Sequence, residues 1–348
     1  MSTATPGAPV APVPVPVAGR PSPVRAEVLR LRSRRMVRVL AVLGLVGLLA
    51  GVAVAFTQFA KPSAAGRADA AQRRQQIVDQ VNRGRQECLS AVGTTHGPSS
   101  KADCGLPTTP DEVGSVDNFL GKQPFDLAVN GRAGILAVSG AFAAIAFLLG
   151  ASFVGAEWST RSMVALLFWE PRRRTVIAAK VAVVAVAGAL LGSFAEGLWL
   201  AAAGLLAATR GVGSAPTGLW VTLVGSAGRG VVLVAVMALL GFGIANLIRN
   251  TAAALGVGFV YVAVVETALR ALRPAWQRWL LTDNAIALLT PGGLHVFLDQ
   301  GFVDARGQYQ ESGREILVSN LHGGLILTAA TLAVLVAGIV LFGRRDLN

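Results

Sequence analysis

Residues 25–56 read RAEVLRLRSRRMVRVLAVLGLVGLLAGVAVAF: six arginines against the single acid Glu27, then eighteen residues without a charge from Val39 to Phe56. Coiled as a helix at 1.5 Å per residue, such a run is close to the length that crosses the ~30 Å hydrocarbon layer of a bilayer. Lipid is therefore its solvent, and the arginines hold its leading end at a membrane surface. A cleavable signal is the rival reading. Ser33-Arg34-Arg35 is similar to a twin-arginine signal, and Ala64-Ala65 offers small residues for cutting. The long leader and the apolar blocks that follow weigh against it.

Five further blocks run from Ala133 to Val154, Val176 to Ala207, Val231 to Ile248, Thr251 to Leu269 and Gly323 to Phe342. The 348-residue chain is 53% hydrophobic and 14% charged, which leaves too little polar surface to cover a soluble globule. The expected fold is an all-α polytopic membrane protein with about six transmembrane helices and a small external segment after the first. Residues 1–38 form a Pro-rich, basic and disordered cytoplasmic tail, and the first span occupies 39–58. The external segment is 59–132, with a helix-like stretch from Ala68 to Val92. Residues 133–348 carry the other five spans, an internal loop at 155–175 and a second external segment at 270–322.

Charge placement sets the orientation, because Lys and Arg are retained in cytoplasmic loops. With the N-terminus inside, the cytoplasmic pieces hold fifteen basic residues and four acids. The much longer external pieces, with Arg210 and Arg229 in the third loop, hold sixteen and thirteen. Both termini are thus expected in the cytoplasm of a multi-pass protein of the cell membrane. The net charge of +12 belongs to this asymmetry and implies no nucleic-acid partner. Two Cys and three His are too few for a closed metal site, so no metal is expected. Cys88 and Cys104 share one external segment, where an oxidising compartment would allow a disulfide; two unpaired thiols is the other reading.

The internal loop, EWSTRSMVALLFWEPRRR over residues 157–174 with Lys180 beyond, reads as a short amphipathic helix at the membrane surface. Met163, Leu166 and Leu167 share a face by the i, i+3, i+4 rule, Trp158 and Trp169 suit the headgroup level, and Pro171 ends the helix. This loop resembles that of ABC type-2 transporter permeases. There, an acid and an aromatic, a Leu-Leu, a Pro-x-x-Arg stretch and a Lys precede the third span. Glu157-Trp158, Leu166-Leu167, Pro171, Arg173 or Arg174 and Lys180 match, while Arg161-Ser162 stands where Gly-Thr is common. The resemblance extends over roughly residues 36–345.

That resemblance implies a mechanism. The loop would dock as a coupling helix on a separate ATP-binding cassette ATPase, through Glu157, Trp158, Arg161, Met163, Leu166 and Leu167. Arg172, Arg173 and Arg174 would meet anionic headgroups or the partner's acidic rim. A second membrane subunit, identical or not, would complete an exporter. The sequence has no G-x-x-x-x-G-K-[ST] phosphate loop, so the chain is expected to be no enzyme, to bind no cofactor and to leave ATP to its partner.

Glu196 and Glu266 fall within apolar blocks, where a carboxylate costs ~2.5 kcal/mol or more and normally faces a cavity or a partner. Both are candidates for a substrate path; Glu196 alternatively sits at a helix interface, and Glu266 reaches water near the outer end. Residues 270–322 suggest short amphipathic or re-entrant helices. An ion-coupled carrier using Glu196, or a structural membrane protein without transport, are the competing readings.

Overall fold

The computed structural model describes residues 22–344 apart from 95–96, 105–111, 161, 164–171, 214, 299–301, 304–308 and 311–314. In chain order, α1 (Pro23–Ser33) leads through Arg34 into α2 (Arg35–Gln58), followed by α3 (Ala64–Ala91), α4 (Asn130–Ser159), α5 (Arg173–Arg210) and α6 (Leu219–Ile248). Next, α7 (Thr251–Val260) runs through a π-helical turn, Tyr261–Glu266, into α8 (Thr267–Leu272). Last come α9 (Leu281–Leu289) and α10 (Asn320–Arg344). Among the described residues, six helices are long and apolar enough to cross a membrane: α2, α4, α5, α6, the continuous α7–α8 rod, and α10.

The central helix is α6, against which α4, α5, α9 and α10 pack. Helices in lipid gain little from hiding apolar surface from one another, so close approach through small residues decides which of them associate. Gly150 of α4 lies against the backbone at Ala238, and Gly241 of α6 lies reciprocally against the backbone at Phe147. Gly188 and Gly192 of α5 meet Ala235 and Val231 in the same way. At the rim, α2 exposes Val39, Val42, Leu43, Val46 and Leu49, and the α7–α8 rod exposes Phe259, Val260, Val262 and Val264. Only hydrocarbon or another apolar helix covers such faces favourably.

Two expectations are corrected. The disordered tail of residues 1–38 is helical from Pro23 onward; residues 1–21 lie outside the described residues. Ser22 caps α1 by accepting from the Arg25 N–H at 3.2 Å, Pro23 takes the first helical position, and Leu31 is buried against the bundle. The fourth span starts at Leu219 rather than Val231, so Arg229 lies inside α6 and not in an external loop. A 30-residue helix is about 45 Å long, and its first turns overshoot the hydrocarbon layer. Arg229 donates one N–H to Ser226 Oγ at 2.9 Å.

Cys88 and Cys104 form a disulfide, with Cα atoms 5.9 Å apart, that joins the end of α3 to a short turn. Phe59 and Phe125 meet edge to face at 5.2 Å, and the Phe125 N–H donates to Arg210 O at 3.1 Å. The ends of α2 and α5 are thereby tied to the chain that leads into α4. The segment before α10 holds more than short helices: β1 (Leu294–Phe297) pairs antiparallel with β4 (Glu315–Val318), and β2 (Phe302–Val303) with β3 (Tyr309–Gln310). α9 is clamped to α10 by Asn320, whose side-chain amide lies within hydrogen-bond distance of Ala287 O and Leu288 O in α9 and of Thr290 O just beyond it.

Replacing Gly241 with leucine must push α6 from α4. We expect a loss of about 1–3 kcal/mol, read as a lower unfolding midpoint in detergent, whereas the same change at the open Gly47 leaves the midpoint in place.

Candidate functional site

Both stems of the internal loop carry a charge into the bundle. Glu157 ends α4 and Lys180 lies about two turns into α5. A lysine at that depth is fully buried here, as are the carboxylates around it. Lys180 Nζ stands 2.7 Å from Glu157 Oε2 and 2.7 Å from Glu27 Oε2 of α1. Arg34, the linker between α1 and α2, donates to Glu157 Oε1 at 2.8 Å, and Arg30 donates to Glu27 Oε1 at 2.7 Å. Three cations thus share two carboxylates. The excess positive charge meets the ring of Phe153, whose centroid lies 5.1 Å from Lys180 Nζ and 5.2 Å from the Arg34 guanidinium carbon.

The next residue of the loop is held too. Trp158 Nε1 donates to Asn246 Oδ1 at 3.2 Å, and the Arg249 guanidinium lies 4.4 Å above the indole centroid. Arg249 caps α6 in the left-handed region, φ 60°, while Asn250 caps α7 by accepting from the Ala253 N–H at 3.0 Å. Gly155 lets α4 pass against Thr251; a β-carbon there would overlap the threonine. The start of the loop is therefore bound to α1, α2, α5 and the α6–α7 corner together.

The loop residues expected at a docking surface divide. Glu157 is 3% exposed and Met163 0%, so both are turned into the bundle, and Trp158 is partly covered. Arg172 and Arg174 are exposed. Arg161, Leu166 and Leu167 lie outside the described residues, as does the side chain of Arg173. Sequence reading missed Glu27, Arg30, Arg34 and Phe153 as members of the site. The available signal was Glu27, the one acid among six arginines.

Glu196 sits inside α5 at the junction of three helices. Its Oε1 accepts from Ser139 Oγ of α4 at 2.6 Å, its other oxygen has no hydrogen-bond partner among the described residues, and Gly230 of α6 leaves room for both side chains. Glu266 does not reach water: it is fully buried. Its oxygens accept from the Thr282 N–H at 3.1 Å, from the Thr282 hydroxyl and from Arg270 at 3.1 Å, and Arg270 also holds Asp283 at 2.9 Å. The π-helical turn turns both Tyr261 and Glu266 toward the start of α9, where the Leu281 N–H donates to Tyr261 Oη at 3.4 Å. Glu266 staples α9 to the end of the α7–α8 rod, and its hydrogen bonds and ion pairs involve none of the residues around Glu196.

Removing Lys180 breaks the two ion pairs that join α5 to α1 and α4 and leaves each buried carboxylate with its arginine alone. Lys180→Met is expected to destabilise the purified protein by about 3–5 kcal/mol, and adding Glu27→Gln to Lys180→Met should restore part of the loss. A double-mutant cycle on unfolding midpoints measures the coupling.

Comparison with curated proteins gives no match. A family model described as "ABC-2 family transporter protein" matches residues 27–347. The match begins at the very glutamate that pairs with Lys180 and runs past all six apolar helices, so the chain belongs to the ABC-2 transporter family and is a membrane permease subunit of an ATP-binding cassette transporter.

Proposed function

We propose that the chain exports its substrate as one membrane half of a transporter whose energy comes from a separate ATPase, which grips the loop of residues 157–174 from the cytoplasm. The observation that carries this reading is the ion pair between Glu157 and Lys180, which closes the loop at its base. A loop on a flexible base would absorb a push. With its stems locked to each other and to α1, a displacement of the loop becomes a displacement of α4 and α5, and through their glycine contacts, of α6.

In this reading Glu157 positions the loop instead of touching the ATPase, and the exposed Arg172 and Arg174 join Leu166 and Leu167 at the docking face. Both termini lie in the cytoplasm, in keeping with the arginines before α2 and the positive-inside rule. The apolar rims on α2 and the α7–α8 rod offer surface to lipid and to a second membrane subunit. Glu196, one of whose carboxylate oxygens has no hydrogen-bond partner among the described residues, is the candidate for a substrate path.

The test is co-purification from membranes with an ATP-binding cassette ATPase encoded beside this chain, scored for retained ATPase and for stimulated hydrolysis. Leu166→Asp is expected to abolish retention. Glu157→Ala should keep retention but uncouple hydrolysis from transport. Wild-type behaviour of both variants would remove the loop from the mechanism.

A further inference from the structure

The arginines of α1 fall into two groups. Arg30, together with Arg34 at the C-terminal end of the helix, turns toward the bundle and pairs with the buried carboxylates of Glu27 and Glu157. Arg25 and Arg32 turn away. With Val28 and Leu29 they occupy positions i, i+3, i+4 and i+7, a single stripe along the helix, and all four are exposed. Neither Arg25 nor Arg32 has an acidic partner among the described residues. Glu27 and Leu31 lie on the other face and are buried.

The position of this stripe limits what can cover it. α1 ends at Ser33 and the first span begins at Arg35, with only Arg34 between them. The stripe therefore lies within one short helix of the bilayer surface. Two apolar side chains between two unpaired guanidinium groups match an interface where acyl chains meet phosphates. Arginine is the side chain best shaped to hold a phosphate through two hydrogen bonds.

We propose that the outward stripe of α1, Arg25, Val28, Leu29 and Arg32, seats anionic phospholipid headgroups, and that Glu27 on the opposite face relays that occupancy through Lys180 to the base of the loop. Seating draws α1 onto the membrane, and Glu27 moves with it because the two faces belong to one helix. Lys180 Nζ is shared by Glu27 and Glu157, so a shift of one carboxylate alters the hold on the other. Anionic lipid would thereby regulate ATPase docking, which rests on the reading of the loop given above; the lipid seat itself stands apart from that reading.

The experiment uses the full chain in nanodiscs of phosphatidylcholine mixed with phosphatidylglycerol, with bimane on Leu29→Cys and bromine on the acyl chains of one lipid or the other. Brominated phosphatidylglycerol is expected to quench more strongly than brominated phosphatidylcholine. Replacing Arg25 and Arg32 with glutamine should lower that preference by about fivefold per arginine. Equal quenching by the two lipids overturns the seat, and is the result expected if an acidic protein surface were the true occupant. For the relay, amide exchange at residues 172–176 is compared in discs with and without phosphatidylglycerol. The anionic lipid should slow exchange in the wild type but not in Glu27→Gln or Lys180→Gln, while the quenching preference survives in both. A lipid effect on exchange that persists in both variants overturns the relay.

Discussion

A charge taken out of water must find its opposite, and in this chain that requirement falls on Lys180. Its ammonium sits inside the helix bundle beside an aromatic ring, where an unpaired ion would cost several kcal/mol. Two carboxylates meet it from segments far apart in sequence, Glu27 before the first span and Glu157 at the end of the second. Each carboxylate in turn takes an arginine. The arrangement holds only when α1, α4 and α5 are all in place, so one residue's solvation ties this end of the bundle together.

The rest of the bundle is held by other means. Along its middle, α4, α5 and α6 approach through glycines, which let backbones pack where side chains would hold them apart. At the opposite end, the staple of Glu266, Arg270, Thr282 and Asp283 fastens α9 to the α7–α8 rod, and Asn320 fastens it to α10. The bundle thus has ionic clamps at two ends and a close-packed middle. Glu196 is the exception within this frame, a carboxylate bound by one hydroxyl at the meeting of three helices.

Much of this was legible before any coordinates. The apolar blocks gave six spans because the bilayer imposes a length, and length is a one-dimensional property. The loop between the second and third spans stood out by its aromatic, leucine and arginine content. Arg229 lies within α6 and not in a loop, because a charge in sequence marks the end of a helix only on average. The inner helix α1 was read as disordered for a related reason. Eleven residues rich in arginine do not make a stable helix alone, and what stabilises this one is a buried contact with α5.

By itself the sequence determined the solvent and the number of apolar spans, since each depends on composition summed over a local window. Only the tertiary structure decided that Glu157 faces inward to Lys180, that Glu27 joins them across 153 residues, and that Glu266 is a staple and not a water-facing acid. The physical reason is that burial and pairing are properties of neighbours in space. A carboxylate in an apolar block states that it needs a partner, and folding alone decides which cation supplies one.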